Sequence, residues 1–441
     1  MPELSLLRGV RYDPGRVDMS RVLAPPYDVI SEKERDALEA LDPHNVVRLD
    51  LPRGEGDKKY DSAAELYQKW QADGVLRRDP RPSLYRYHQV FSLVEIPGRT
   101  FTRRGFIAGI RLVGYDEKVV LPHERTLRGP KEDRLKLMRA TGAHFSQIFG
   151  LYRDPSRSAD DSFGQMDMHR QPDMEGKTAD GTVHRLWLVS DRETLAAVGK
   201  VLSPLRVYIA DGHHRYETML ALRDEIRAAR GGTFNYRASS EFATFFLMNT
   251  SDPGLVVLPT HRLVHSQQGF DVDDFLKKLR SLFEVDLLSG GAKDIMALKT
   301  QIHEQGRTRP TFGVVFPGSD HAWIASLNHD PRLDLHKSLA RLDVSILHGV
   351  VLERFLEIDR EAQEKQTHIA YVKDTADAVA RVGRGEAQVG FIMNPTRVDQ
   401  VLDAADAGQV MPQKSTFFYP KIASGLVFAT ISPDEDLEKA W

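Results

Sequence analysis

A chain of 441 residues is longer than one ordinary hydrophobic core supports, which predicts two or three domains. Its 41% hydrophobic and 28% charged residues are those of a soluble globular protein, and 60 basic against 63 acidic residues (formal charge −3) argue against a broad nucleic-acid surface, though not against a local patch. The absence of cysteine excludes disulfides and thiolate chemistry, and no run is apolar enough for a signal peptide or a membrane span, so the expectation is a cytoplasmic protein with no membrane partner.

The first elements follow from local chemistry. Prolines extend Val22 to Ile30, and Ser31 with Glu34 forms a capping box for a helix reaching about Leu41. Val46 to Leu51 alternates as a strand does, and Asp57 to Ala72 reads as an amphipathic helix closed by Gly74. Ser83 to Ile96 and Thr100 to Val113 are β-rich runs joined by Pro97-Gly98, a hairpin signal. A strand over Lys118 to Thr126 precedes a helix opened by Pro130, and Ser146 to Tyr152 is a further strand. Asp154 to Gly181 is polar and aperiodic, which predicts a long loop.

Leu205 to Ala210 is a short apolar run suited to a buried strand, and Met219, Leu222 and Ile226 recur at helical spacing up to Gly231-Gly232. Strands follow at Glu241 to Asn249 and Leu255 to Val264, then Asp271 to Leu288 and Ala292 to Gln305 give two helices with a strand after the first, and a hairpin is expected around Pro317-Gly318. A mostly apolar helix is expected over Leu342 to Ile358. The tail alternates strand and helix through Ala387 to Met393 and Arg397 to Ala407 before the Met411-to-Pro420 loop. The class is therefore mixed α/β, divided into an N-terminal region over 1–115, a core over 116–265 and a C-terminal region over 266–441.

Between the strand and helix of the centre lies Asp211-Gly212-His213-His214-Arg215. The first N–H groups of a helix have no intrahelical partner and sit at the positive end of its dipole, so this turn is an anion seat. Gly212 permits close approach of a ligand, and His213, His214 and Arg215 add donors suited to phosphate. Asp211 either caps the helix, holds a divalent cation or accepts a proton. A blander reading leaves the histidines as surface residues, and a third pairs His213 with Glu217, one turn on, as metal ligands.

Three other stretches combine chemistry. His123-Glu124-Arg125-Thr126 sets a carboxylate among donors, against the plainer account of an ion pair with Arg125 or Arg128. Pro412-Gln413-Lys414-Ser415-Thr416 joins an ammonium to two hydroxyls in a loop; it lacks the glycine spacing of a P-loop, and a solvated loop is its plain alternative. Pro259-Thr260-His261-Arg262 offers two more donors, with packing at the core edge as the simpler account.

Together Pro25-Pro26-Tyr27-Asp28-Val29-Ile30, Leu121 to Thr126, Ala210 to Thr218 and Met411 to Thr416 resemble the signatures of a widespread prokaryotic family over nearly the whole chain. More distantly the sequence is similar to the archaeal ADP-dependent free serine kinases of the ParB/sulfiredoxin superfamily, which carry Pro-His-Glu, Asp-Gly-His-His-Arg and Pro-Lys-(Ser/Thr)-Thr in the same order. That resemblance implies a ParB/sulfiredoxin-like nucleotide-binding core, with Glu124 as the catalytic carboxylate and Asp211 through Arg215 as the phosphate and nucleotide loop. It further implies that Lys414, Ser415 and Thr416 form the C-terminal motif, here with Gln413 inserted between proline and lysine. The long N-terminal region and the wide spacing from Glu124 to Asp211 depart from the kinases.

The expected function is a nucleotide-dependent kinase acting on a small hydroxylated metabolite, L-serine first, using ADP or ATP with Mg²⁺. Glu124 and Asp211 are the catalytic candidates, and Gly212, His213, His214, Arg215, Lys414, Ser415 and Thr416 the phosphate contacts. The alternative is a ParB-like switch in which bound nucleotide governs association. Sulfiredoxin-like repair is disfavoured because it needs a cysteine. Donor identity and oligomeric state are not legible.

Overall fold

The computed structural model describes residues 1–126, 128–164 and 169–440, so residues 165–168 of the stretch read as a loop lie outside the described residues, as does the side chain of Arg128. The chain forms two compact units. The first contains Met1–Pro122, Thr126–Val256 and Pro420–Trp441; the second contains His123–Arg125 and Val257–Tyr419. These units follow other boundaries than the three regions read along the sequence, because sheet pairing pools strands from distant stretches.

The first unit is built on a nine-stranded sheet of β1 (Leu4–Ser5), β2 (Leu84–Ser92), β3 (Thr100–Arg111), β4 (Val120–Leu121), β5 (Ile148–Tyr152), β6 (Met174–Lys177), β7 (Val183–Val189), β8 (Val207–Asp211) and β9 (Phe242–Asn249). Their spatial order is β4-β8-β5-β9-β3-β2-β7-β6, with β1 also on β3. The pairs β4/β8 and β5/β9 are parallel and the others antiparallel, so the sheet is mixed. The expected hairpin at Pro97-Gly98 is present as β2 and β3, in register from Tyr85 opposite Ile107 to Ser92 opposite Thr100. Helices α1 (Arg128–Thr141) and α2 (His213–Ala229) belong to this unit, and Phe106, Ile148, Ile209, Tyr216 and Phe245 are fully buried in one cluster.

The second unit holds an antiparallel sheet of β10 (His261–Val264), β11 (Phe283–Leu287), β12 (Thr311–Val315), β13 (Ala322–Leu327), β14 (Ile369–Val372) and β15 (Val389–Met393), in the order β11-β13-β12-β15-β10-β14. Alternation places Val264, Val314 and Phe391 in one apolar cluster and Leu263, Val315 and Ile392 in another, so both faces of the sheet are covered. The apolar helix expected from Leu342 is present as Asp343–Ile346 continuing into a π-helical stretch, Leu347–Phe355, and Val398–Asp406 supplies a further helix.

The mixed α/β class is as expected, as are the capping box of Glu32–Leu41 and the helix Lys58–Ala72. Three local expectations need correction. Val46 to Leu51 is not a strand but contains the helical turn Val47–Asp50, which follows a turn in which Asn45 Oδ1 accepts the Val47 N–H at 3.0 Å. The stretch 154–181 is not all loop: it contains the helix Ser158–Asp161 and edge strand β6. Met174 and Gly176 are the inward residues of β6, and a Cβ on Gly176 would lie 2.8 Å from Met19 Cβ. A glycine at an inward position hides the period of two. Finally, only Val120–Leu121 of the strand expected to reach Thr126 is paired as a strand. No helix among the described residues is long and apolar enough to cross a membrane.

Candidate functional site

The expected strand-to-helix turn is present in the first unit. Strand β8 carries a register irregularity against β5 between Ile209 and Asp211, and the chain then turns at Gly212 with φ +94° before α2 begins at His213. Glycine is required twice over: the backbone is left-handed, and a Cβ would stand 2.9 Å from Arg215 Nε. Gly212→Ala is therefore expected to cost about 1–3 kcal/mol of stability in urea denaturation. An unchanged midpoint would show that the turn relaxes freely.

Asp211 does not cap α2, whose N-cap residue is Gly212 with no side-chain cap hydrogen bond. Its Oδ2 accepts from Arg215 Nη2 at 2.8 Å and its Oδ1 from Lys421 Nζ at 2.6 Å. Burial alone would raise this carboxyl, but the Lys421 and Arg215 charges and the Lys421 hydrogen bond hold it well below the usual carboxylate range. Arg215 is itself 4% exposed and donates Nη1 to the Gln147 carbonyl, so two of its nitrogens are committed within the protein. His213 is buried and His214 partly so.

Lys421 escaped the sequence reading. It lies 210 positions from Asp211 in a stretch without a motif, and only the fold brings it there. Its place is set by backbone anchors: Gln89 Nε2 donates to Lys421 O at 2.9 Å, and the buried Arg103 donates to Pro420 O.

The second unit gathers the other expected residues. Lys414 N–H donates to Glu124 Oε1 at 2.6 Å, His123 Nε2 and Thr416 Oγ1 are 3.0 Å apart, and Met411 N–H donates to His123 O at 2.8 Å. Thus the two short motifs are stitched together across 290 positions. Arg262, set aside from sequence as packing, is a structural part of this site. It is 2% exposed, donates Nη2 to Lys414 O at 3.0 Å and Nη1 to Thr260 O, and places Nε 3.3 Å from His348 Nε2. Burial lowers its pKa to about 10, with Tyr371 and Glu124 acting in the opposite direction. Held at both its N–H and its C=O, Lys414 keeps a left-handed φ of +56° with its side chain exposed. Thr396 Oγ1 donates to Ser415 O at 2.7 Å, and Ser415 Oγ donates to Pro412 O, which fix the loop further.

The expected residues thus fall into two sets, Asp211 to Arg215 in one unit and Glu124 with Lys414, Ser415 and Thr416 in the other. The metal pairing of His213 with Glu217 gains no support, because Glu217 Oε2 accepts from Lys131 Nζ at 2.7 Å and from Thr126 Oγ1. Among the described residues no group of three or more His, Asp or Glu is placed to hold a metal ion, and both Asp211 oxygens already face cations. The residues therefore do not form a protein cage for Mg²⁺.

Comparison with curated proteins finds no match. Among solved structures the chain is similar to a free serine kinase in complex with AMP, at 13% identity and TM-score 0.36, covering 70% of this chain and 89% of that one. It is similar to a conserved hypothetical protein from Pyrococcus furiosus at 16% identity and TM-score 0.34, covering 70% and 91%. It is also similar to SbnI with a C-terminal truncation from Staphylococcus aureus at 9% identity and TM-score 0.35, covering 75% and 90%. Likeness at this level carries no argument about activity. Residues 6–345 match the model of the family described as "Protein of unknown function (DUF1015)", and the chain belongs to that family.

Proposed function

We propose that this protein is a nucleotide-dependent small-molecule kinase, with free L-serine as the leading acceptor, O-phosphoserine as product and ADP or ATP as donor. The observation that carries the reading is the turn at Gly212, where a helix of 17 residues starts without a side-chain cap beneath two histidines. Such a helix end favours phosphate oxygens. The motif resemblance to the serine kinases supports the same reading.

In this proposal Gly212, His213 and His214 seat the phosphates. Arg215 acts by holding Asp211 and the strand end rather than as a loose phosphate clamp, because its guanidinium is committed to Asp211 and Gln147. Asp211, counted from the sequence as a catalytic candidate, is assigned to positioning: a carboxylate kept ionised by two cations is a weak base. Glu124 takes the proton of the acceptor hydroxyl, and the Lys414 ammonium stabilises charge on the transferred group. Ser415 and Thr416 shape the loop through Pro412 and His123. Mg²⁺ enters as an ion carried by the nucleotide, since no group of three or more His, Asp or Glu among the described residues is placed to hold it.

The test is to incubate the protein with Mg²⁺, ADP or ATP and a panel of hydroxyl amino acids, and to seek phosphorylated product by mass spectrometry. Transfer to none of them would move the reading to a nucleotide-governed switch.

Lys414→Gly isolates the ammonium. Glycine suits the left-handed backbone at this position, so the fold should hold or gain slightly while turnover falls about tenfold or more. Full turnover in a folded Lys414→Gly protein would remove Lys414 from the chemistry.

A further inference from the structure

The second unit contains a cavity of about 90 Å³ that the sequence does not advertise. At about 10–15 Å³ of such space per water, it has room for roughly six to nine non-hydrogen atoms, which suits a small metabolite. Its walls come from the residues before and within β10, the end of the helix Ile295–Gly306, the start of the helical stretch at Asp343, and the start of Val398–Asp406.

Charges of both signs line this cavity. Asp343 Oδ1 accepts the Thr311 N–H at 3.2 Å and Oδ2 accepts Asn394 Nδ2 at 3.0 Å. No ion pair within 4 Å compensates this carboxylate among the described residues, and burial pushes it up to about 6 even with Arg397 acting against the rise. Asn394 spends Nδ2 on Ile302 O, Thr311 O and Asp343, so its amide oxygen is the remaining acceptor beside the carboxylate. Of the arginines in the wall, Arg262 spends its donors on Thr260, His348 and Lys414, whereas Arg307 and Arg397 are exposed, and the pair of Arg397 with the exposed Asp399 at 3.3 Å is of small worth in water. A simple anion would meet Asp343, and a simple amine would meet two guanidinium groups. A molecule bearing both charges satisfies both kinds of group.

We infer that this cavity is a subsite for a small zwitterion of α-amino-acid size, its ammonium on Asp343 and the Asn394 amide oxygen and its carboxylate on Arg307 and Arg397. Two members of the wall tie the cavity to the site already described: Ser415 follows Lys414, and Arg262 holds the Lys414 carbonyl. The subsite is therefore the one for the phosphoryl acceptor. That role rests on the kinase reading, whereas occupancy by a zwitterion does not.

Calorimetric titration of the full chain without nucleotide separates the two. L-serine and L-alanine are expected to bind, while ethanolamine, which lacks the carboxylate, and lactate, which lacks the ammonium, bind about tenfold more weakly or worse. The double change Arg307→Gln with Arg397→Gln, both exposed and so safe for folding, should weaken L-serine about tenfold, and Asp343→Asn should do the same. Lactate or ethanolamine binding as tightly as L-alanine would overturn the inference, as would no binding by either amino acid, or an unchanged L-serine affinity in the double arginine variant. If L-serine binds as expected but is never phosphorylated, the kinase reading fails and the subsite stands. If L-serine is phosphorylated with an unaltered KM in the double variant, the subsite fails and the kinase stands.

Discussion

Glu124→Gln is expected to slow phosphoryl transfer by about 10²- to 10⁴-fold while nucleotide affinity is retained. The amide keeps the shape of the side chain and an oxygen that can still accept the Lys414 N–H, so the loop from Met411 to Thr416 should stay where it is. What it loses is the ability to take a proton. Glu124→Ala is the poorer experiment, because it also removes the acceptor that holds Lys414 in its left-handed conformation. A switch without chemistry makes the opposite forecast: loss of a carboxylate near phosphate leaves binding alone or improves it, and there is no turnover to lose. Equal transfer rates in the parent and Glu124→Gln would show that Glu124 is not the base. Asp211 would then be a weak substitute, since Lys421 and Arg215 keep it ionised well below the range in which a base takes up protons.

Stability should fall steeply as pH drops below about 6.5, to the extent of about 2 kcal/mol at pH 5 for each of four buried histidines. Burial lowers His144, His261 and His348 to about 3 and His184 to about 4. The unfolded chain takes up these protons near pH 6.5 and the folded chain does not, so protonation pulls toward unfolding across the interval from about 6.5 down to the folded values. Hydrogen bonds give this a structural cause. Met393 N–H donates to His261 Nδ1 at 3.1 Å, and Arg262 Nε donates to His348 Nε2, so a second proton on either ring would face a donor. His184 lies between Tyr87 and Thr178, and neither ring nitrogen of His144 has a hydrogen-bond partner among the described residues.

Asp343 opposes the trend with a smaller contribution of reversed sign. Its folded value near 6 exceeds that of the unfolded chain, so it takes up its proton in the folded state first and gains stability as pH falls through about 6. Four losses against one gain leave a net loss comparable with a large part of a typical folding free energy. Urea midpoints measured from pH 8 to pH 5 check this. His348→Gln should flatten the slope by about 1.4 kcal/mol per pH unit, one proton's worth. Midpoints that do not move between pH 7 and pH 5 would show that these histidines are not buried neutral.

The sequence by itself determined those elements whose cause is local. The turn at Gly212 was legible because a short apolar run, a glycine and a helical period stand next to one another, and the Pro97-Gly98 hairpin and the Ser31 capping box were legible for the same reason. Where a side-chain-to-backbone turn bond or an inward glycine competes with the pattern, as at Asn45 and Gly176, periodicity misled or was silent. Candidate chemistry was legible as residue types, but the partners were not. Lys421 reaches Asp211 and Glu124 takes the Lys414 N–H only because sheets and loops bring together positions 210 and 290 apart, and no local spacing records such contacts. The tertiary structure also decided which charged groups are committed: Arg215 looks in sequence like a phosphate clamp and is buried on Asp211, whereas Arg262 looks like packing and grips the Lys414 loop. Burial is a property of the whole fold, and a guanidinium withdrawn from water must spend its donors on whatever oxygens the fold supplies.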